Sequence, residues 1–297
     1  MNFSEALKAK RKEFGMSQDQ LAEKLCVSRQ AITKWETGGG MPDIENMLAI
    51  ASLFGTTVEE LVSPEKLSPS GAEYFHESSV EYDIDTQTDY DINIGGAREI
   101  YVSAHNSEKL KIKLASNALS EIERLFKIKI DSNKYSIDVN LKRSEELSEA
   151  KAKDALSVYI SVPAKLIENI ELAARVHTLR LSGFEAEKFE FDGKVTRVNL
   201  DEFKGKVELN SSSDMIVVCS NLDGEIGIDQ ISATSTIHLP KGTEYQTKIK
   251  RAAKKISYTL DGTETQAPEN HDTQNIIKLS GLNTELVINE CSDITQV

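Results

Sequence analysis

Residues 16–42, MSQDQLAEKLCVSRQAITKWETGGGMP, carry the strongest signals for the fold of the N-terminal part of the chain. Ser17 precedes a short apolar run and Gln20 follows three residues later, which is the capping-box pattern of a helix start. Ser28 stands in the same way before a second apolar run. The sequence therefore predicts two short helices joined by a tight turn at Cys26-Val27.

Helical spacing continues on both sides of this stretch. Apolar residues before residue 15 predict an earlier helix, with residues 8–12 on its polar face. Gly38-Gly39-Gly40 must end the second helix of the stretch, because each glycine costs a helix interior about 1 kcal/mol relative to alanine. A further helix is predicted from Asp43, and a short last one over residues 58–62. Residues 1–62 are thus predicted to form a five-helix bundle.

The second helix of the quoted stretch has a polar outer face. Ala22 is small enough to let the two helices cross closely. Arg29, Gln30, Thr33 and Lys34 then point outward, and all four can make hydrogen bonds. Side chains of this kind reach base edges in the major groove of DNA, which is about 12 Å wide and admits one helix.

Residues 2–62 resemble the Cro/cI-type helix-turn-helix family, the XRE family, of prokaryotic and phage regulators. The resemblance is carried by Gly15, Ser17, Gln18, Leu21, Ala22, Leu25, Val27, Ser28, Ile32, Trp35, Glu36, Gly38 and Pro42. It implies DNA contacts of two kinds, base contacts by Arg29, Gln30, Thr33 and Lys34, and phosphate contacts by Gln18 and Ser28.

Charge is unevenly distributed, and the net charge of −13 is unusual for a nucleic-acid-binding protein. Residues 1–63 hold 7 basic and 9 acidic side chains, but residues 1–34 hold 7 and 4. Lys10, Arg11 and Lys12 are expected to add phosphate contacts. Lys10 stands where the resembled family usually has an apolar residue, and its methylene stem can cover the core there.

A change of composition separates the helical part from the rest. Residues 63–79 contain two Pro, five Ser and one Gly, which is typical of a linker, although an ordered loop packed on either domain is the alternative. From residue 80 apolar and polar residues alternate, as at Tyr90, Ile92 and Ile94. Residues 80–297 are therefore predicted to be an all-β domain, giving an α + β multidomain chain.

A loose repeat favours one architecture for the β domain. Strand-like openings occur at Val176, Val195, Met215 and Thr236, at a nearly constant step of about 20 residues. Successive rungs at such a step can stack around a continuous interior, which favours a β-solenoid over the alternative antiparallel β-sandwich. Residues 155–240 also resemble the β-strand-repeat domain of the "putative adhesin" type in bacterial proteins, a resemblance that implies a fold and no activity.

Several classes of protein are not expected. The longest uncharged run, residues 46–58, is much shorter than the roughly 20 residues of a membrane-spanning helix, and the charged N-terminus does not read as a secretory signal. Three widely separated cysteines indicate reduced thiols and a cytoplasmic protein. The five histidines lack metal-ligand spacing and no enzyme motif occurs, so we expect no catalytic residue, metal or cofactor.

These observations predict a sequence-specific DNA-binding transcription regulator. We expect a repressor that acts as a homodimer on two half-sites of a double-stranded operator, about 34 Å apart. The β domain would oligomerise, or sense a ligand or a partner protein. Two alternatives remain: an antitoxin-like or scaffold protein whose helical domain mainly binds protein, and an enzyme carried on the β domain.

Overall fold

The computed structural model describes residues 3–4, 7–8, 11, 16–25, 27–54, 74–133, 135–250, 252–267 and 273–294. The chain divides into two units, Met1–Glu73 and Tyr74–Val297. Among the described helices of both units, none is long and apolar enough to cross a membrane.

The N-terminal unit is helical, with α1 at Gln18–Lys24, α2 at Arg29–Glu36 and α3 at Ile44–Phe54. Residues 3–4, 7–8 and 11 are also helical. The described part of this unit thus has four helical segments, which corrects the predicted five-helix bundle; the predicted helix at 58–62 lies outside the described residues. One apolar core joins the segments, formed by Phe3, Leu7, Leu21, Ala22, Leu25, Ile32, Trp35, Ile50 and Phe54.

The C-terminal unit is built almost entirely of strands. Its strands are β1 (His76–Asp83), β2 (Thr88–His105), β3 (Lys109–Ser116), β4 (Phe126–Ser132), β5 (Ser136–Arg143), β6 (Ser157–Pro163), β7 (Ile167–Ser211), β8 (Ile216–Cys219), β9 (Asp223–Ile231), β10 (Thr234–Pro240), β11 (Gln246–Ile249), β12 (Lys255–Leu260), β13 (Thr263–Thr265), β14 (Ile276–Leu282) and β15 (Glu285–Cys291). Two short helices, α4 (Ile122–Leu125) and α5 (Glu149–Ala155), lie between strands.

The strands form two branches that share β2 and β7. One branch runs β1-β3-β6-β2-β7-β8-β10-β15-β12-β13. The other runs β4-β5-β2-β7-β9-β14-β11. β2 pairs with β5 through residues 89–93 and with β6 through residues 99–105, so it passes from one branch to the other. Most buried apolar side chains of both branches form one large cluster, and Tyr101, Ala115 and Tyr159 form a second, smaller one.

Most of the described strand pairs are parallel, and three of them, β7–β8, β8–β10 and β7–β9, keep a step of about 20 residues. Arg197 pairs with Ile216, and Ile216 pairs in turn with Thr236. Each partner thus lies about 20 residues further along the chain, which is the step that the sequence repeat predicts. Antiparallel pairs in the described part are β1–β3, β3–β6, β4–β5 and the β12–β13 hairpin.

Glycines at the bends allow the successive turns to stack closely. Gly205 has a φ of 123°, and a Cβ atom there would lie 1.9 Å from the carbonyl oxygen of Ala186 on the preceding turn. Gly193 stands in the same relation to Ala174, at 1.8 Å. Because no side chain fits these approaches, the stacking depends on glycine at these positions.

The start of the β unit lies earlier than predicted. β1 begins at His76 and pairs along its whole length with β3, so residues 76–79 belong to a strand although their composition is that of a linker. Alternating polar residues suit this strand because much of it is exposed at an edge. Residues 63–73 of the predicted linker lie outside the described residues.

Candidate nucleic-acid interface

Both helices of the quoted stretch start where the sequence predicts. The Ser17 hydroxyl accepts from the Gln20 backbone N–H at 3.2 Å, and the Gln20 side chain accepts from the Ser17 N–H at 2.8 Å, which completes the capping box. The Ser28 hydroxyl accepts from the Ala31 N–H at 3.2 Å. These caps fix the first residue of α1 and α2, and so the direction of the side chains that follow.

A tight turn and a buried wedge hold α2 against α1. The Val27 N–H donates to the Ala22 carbonyl at 3.0 Å within the turn. Ala22 is 4% exposed, and Leu21 and Ile32 are fully buried. Trp35 is also buried, so it belongs to the core and is not a platform for base stacking. One face of α2 is thus committed to packing and the opposite face is left to solvent.

Arg29, Gln30, Thr33 and Lys34 lie on that outer face, and all four are exposed. Their spacing of 0, 1, 4 and 5 places them on one side of a helix. The Arg29 side chain is 64% exposed and its guanidinium lies 3.4 Å from the Asp19 carboxylate, an exposed pair that contributes little stability. We call these four residues the exposed row. The exposed row presents several hydrogen-bonding groups on one side of α2.

Lys34 and Thr33 have local contacts that shape this row. The stem of Lys34 lies over the glycines after α2, so that a Cβ on Gly40 would be 2.9 Å from the Lys34 Cε. The Thr33 hydroxyl lies 3.1 Å from the Arg29 carbonyl and 3.2 Å from the Gln18 Oε1. Glycine at position 40 thus makes room for the lysine stem.

A buried ion pair lies behind the exposed row. The Arg11 Nη2 donates to the Glu36 Oε2 at 3.0 Å, and its Nη1 donates to the Met16 carbonyl at 2.8 Å. The Gln18 Nε2 donates to the same Glu36 Oε2 at 2.8 Å. The side chains of Arg11 and Glu36 are only 11% and 2% exposed. This network ties the start of α1 and the preceding helical segment to the end of α2.

The network sets the charge states of its members. Burial by itself raises the pKa of Glu36, but the hydrogen bonds from Arg11 and Gln18 outweigh it and lower the pKa below the ordinary value of 4.5. The hydrogen bond to Glu36 raises the pKa of Arg11. Both side chains are therefore charged at neutral pH, and the pair satisfies what would otherwise be a buried charge.

The predicted DNA-contacting residues divide into three groups. Ser28, Arg29, Gln30, Thr33 and Lys34 lie together at the start and on the outer face of α2. Gln18 is half-buried, and its amide joins Glu36 to Thr33. Arg11 turns inward to Glu36 and is not free to bind a phosphate, while Lys10 and Lys12 lie outside the described residues.

The sequence reasoning missed Glu36 as a structural residue. Glu36 follows Ile32 by four residues, which places it on the buried face of α2. A carboxylate on a buried face needs a cationic partner, and Arg11 was available in the preceding helical segment. This spacing was the signal that could have reassigned Arg11 from the surface to the core.

The described residues of the β unit present no comparable group of side chains. Over the described ranges of the chain, no three or more His, Cys, Asp or Glu side chains are placed to hold a metal. Cys219 and Cys291 are free and buried, and burial raises the pKa of Cys219 to about 12, so that thiol is protonated. Cys26 lies outside the described residues.

The geometry and the comparisons agree on the class of the N-terminal unit. Residues 7–61 match the family model described as "Helix-turn-helix". The N-terminal unit is a helix-turn-helix domain of the Cro/cI type, and the match covers about a fifth of the chain.

Two relatives share this region. The HTH-type transcriptional activator BcrR of Enterococcus faecalis is 46% identical over 67 residues, which are 23% of this chain and 33% of that protein. The cryptic phage CTXphi transcriptional repressor RstR of Vibrio cholerae is 33% identical over 61 residues, 20% of this chain and 54% of that protein. The chain thus spans a third and about half of the lengths of these relatives.

Solved structures of low similarity match most of the chain. A protein of Clostridium sporogenes named "putative cell adhesion protein" is 13% identical with a TM-score of 0.38. The match covers 72% of this chain and 100% of that chain. A "putative adhesin" of Bacteroides fragilis is 14% identical with a TM-score of 0.33. That match covers 72% of this chain and 97% of the other chain. With TM-scores below 0.5, these similarities carry no argument about fold or function.

Proposed function

We propose that the protein is a sequence-specific, DNA-binding transcription regulator. The observation that carries this proposal is the exposed row Arg29, Gln30, Thr33 and Lys34 on a helix whose opposite face is buried. α2 has eight residues and is about 12 Å long, so it fits lengthwise into a major groove. In that position Arg29 or Lys34 suits guanine, and Gln30 suits adenine.

Phosphate contacts would orient α2 in the groove. Ser28 at the N-terminus of α2 is exposed, and the free N–H groups of the first helical turn favour an anion there. Gln18 is placed close to the same side through its bond with Thr33. We leave Arg11 out of the interface because its guanidinium is bound to Glu36.

We further propose that two copies act together as a repressor in the cytoplasm. The described part of one helical unit offers four exposed basic residues, Lys8, Lys24, Arg29 and Lys34. Few phosphate contacts mean weak binding by one copy, and a dimer on two half-sites overcomes this. Occupying a promoter is enough for repression, whereas activation needs a second surface that contacts the polymerase.

The β unit is the part that we propose to hold the copies together. We infer that it is a β-solenoid, an inference supported by glycines at the stacked bends and by parallel pairing at a step of about 20 residues. The acidic excess of the chain lies after residue 63, so this unit is expected to face away from DNA.

Selection from a library of random duplexes, with the full-length chain, tests the proposal. We expect enrichment of a motif with two half-sites whose centres lie about 10 base pairs, or one helical turn, apart. Light scattering of the same sample should give a dimer. An unenriched library at moderate salt would overturn DNA reading, and a stoichiometric co-purified protein would then favour the scaffold alternative.

A further inference from the structure

The last rung of the β unit lies out of chain order. We call β14 and β15, residues 276–291, the C-terminal rung. β14 pairs in parallel with β9 on one side and with β11 on the other. β15 pairs in parallel with β10 and with β12. The final segment of the chain is therefore inserted between two rungs that precede it in sequence.

The strands that follow β10 in sequence do not occupy the place next to β9 and β10. After β10 it proceeds to β11 and β12 without pairing them to β9 or β10. The connection is bound to the C-terminal rung and to the residue before it, since the Lys241 N–H donates to the Cys291 carbonyl and the Gln246 N–H donates to the Asn275 carbonyl, both at 2.9 Å. Without residues 276–291 a slot one rung wide separates β9 and β10 from β11 and β12.

The slot is matched in detail to the segment that fills it. Ile277, Leu279, Leu286 and Ile288 are fully buried there. The Thr284 hydroxyl is also buried and donates to the Ala233 carbonyl at 2.8 Å. A Cβ on Gly281 would lie 1.8 Å from the Gln230 carbonyl oxygen, so the bend accepts only glycine.

A second copy of the chain supplies the same segment. Residues 266–275 connect β13 to β14, and 268–272 among them lie outside the described residues; ten residues can span at most about 35 Å. Slot contacts made by a partner's rung would be identical to those made within one chain, which is the condition for domain swapping.

We propose that the two copies of the dimer exchange their C-terminal rungs, each filling the slot of the other. This rests on the proposed function, because it names the surface by which the β units hold two copies together. β11 and β12 cannot join the earlier rungs until a C-terminal rung arrives, so the slot stays open to the rung of either chain. Exchange covers both slots and leaves no unpaired edge at either.

Engineered disulfides can tell exchange from insertion within one chain. Asp229 and Ser280 are aligned partners on β9 and β14, and the Ser280 hydroxyl donates to the Asp229 carboxylate at 2.7 Å. Neighbouring strands lie about 4.8 Å apart, within the Cα–Cα range of a disulfide. The test variant is the full chain with Asp229→Cys and Ser280→Cys and with serine at the three native cysteine positions.

A matched control uses a pair that exchange does not separate. Asn210 and Asp229 are aligned on β7 and β9, so Asn210→Cys with Asp229→Cys should link within one chain in any case. Thr236→Cys with Val287→Cys repeats the test on the other branch, in case the first variant fails to fold or oxidise. A short bismaleimide crosslinker can replace oxidation for either pair.

The readout is a non-reducing gel together with light scattering and duplex binding of the same samples. Exchange predicts a covalent dimer for both test pairs and a monomer band for the control. A disulfide within one chain in a protein that scatters as a dimer would overturn exchange and leave the proposed dimer and DNA binding intact. A monomer by scattering would overturn exchange and the proposed dimer together.

Discussion

The helical unit and the β unit are specified in opposite ways. In the helical unit, individual side chains decide the structure within residues 17–36, through two serine caps, an apolar wedge and an ion pair. In the β unit, close approach of backbone segments determines the structure, because glycines at the bends lie directly against backbone carbonyl groups of the neighbouring segment. The helical unit should therefore lose stability when a single polar group is removed. The β unit should lose stability when a single carbon atom is added at a bend.

The largest effect is expected at a stacked bend of the β unit. Gly205→Ala places a Cβ against the Ala186 carbonyl at a φ of 123°, and backbone strain plus overpacking should cost about 4 kcal/mol. Gly183 also has a positive φ, of 67°, but nothing lies within 4 Å of its Cβ position, so Gly183→Ala should cost about 1–2 kcal/mol. Thermal unfolding followed by circular dichroism compares them, and equal losses would contradict the stacking argument.

In the helical unit the largest effect is expected at the buried ion pair. Glu36→Gln leaves the Arg11 guanidinium buried without a charged partner, and should reduce the free energy of unfolding by about 3 kcal/mol. Trp35 is the single tryptophan and is buried, so its fluorescence reports this unit during chemical denaturation. The control, Glu23→Gln on the exposed side of α1, should change the free energy by less than about 0.5 kcal/mol. Similar losses of unfolding free energy in both variants would contradict a stabilising role for the ion pair.

The same pair predicts how the helical unit responds to acid. The pKa of Glu36 is lower in the folded state than its ordinary value of 4.5, so the pair stabilises the fold above that pH and the contribution is lost as the pH falls below it. Trp35 fluorescence should show the wild-type free energy of unfolding converging on that of Glu36→Gln in acid. A constant difference between them across that range would contradict the lowered pKa.

A smaller effect should separate the two serine caps. Ser17→Ala and Ser28→Ala each remove a cap and should each cost about 1 kcal/mol of stability. Only Ser28 is proposed to contact phosphate, so Ser28→Ala should also weaken binding to every duplex, including scrambled ones. Gel shifts on two duplexes, with both proteins fully folded, make the comparison. If Ser17→Ala weakened binding as much, the effect would reflect helix stability alone.

Local patterns predicted much of both units. The caps at Ser17 and Ser28 follow from residue type and spacing, and the structure confirms them. The alternation at Tyr90, Ile92 and Ile94 marked residues that are buried. Such signals work because burial and capping depend on neighbours a few residues away.

Pairing over long distances was not predictable in this way. Ile226 pairs on one side with Val207, at the regular step, but on the other side with Ile277, which lies more than twice as far along the chain. Alternation shows that β14 is a strand, but the open edges of β9 and β11 decide where it inserts. The Arg11–Glu36 pair was missed for a related reason: spacing places Glu36 on the buried face of α2, but its partner lies 25 residues away in another helical segment.

Base recognition by the outer face of α2 is tested by the variant Gln30→Ala. Fluorescence anisotropy would measure the affinity of the full-length protein for its selected duplex and for a scrambled duplex of the same composition. The contrast is Lys24→Ala, which removes an exposed cation on α1 and should affect both duplexes equally. The account predicts that Gln30→Ala weakens binding to the selected duplex about 5- to 150-fold and leaves the scrambled duplex unchanged. Equal losses on both duplexes, or no loss on either, would contradict it.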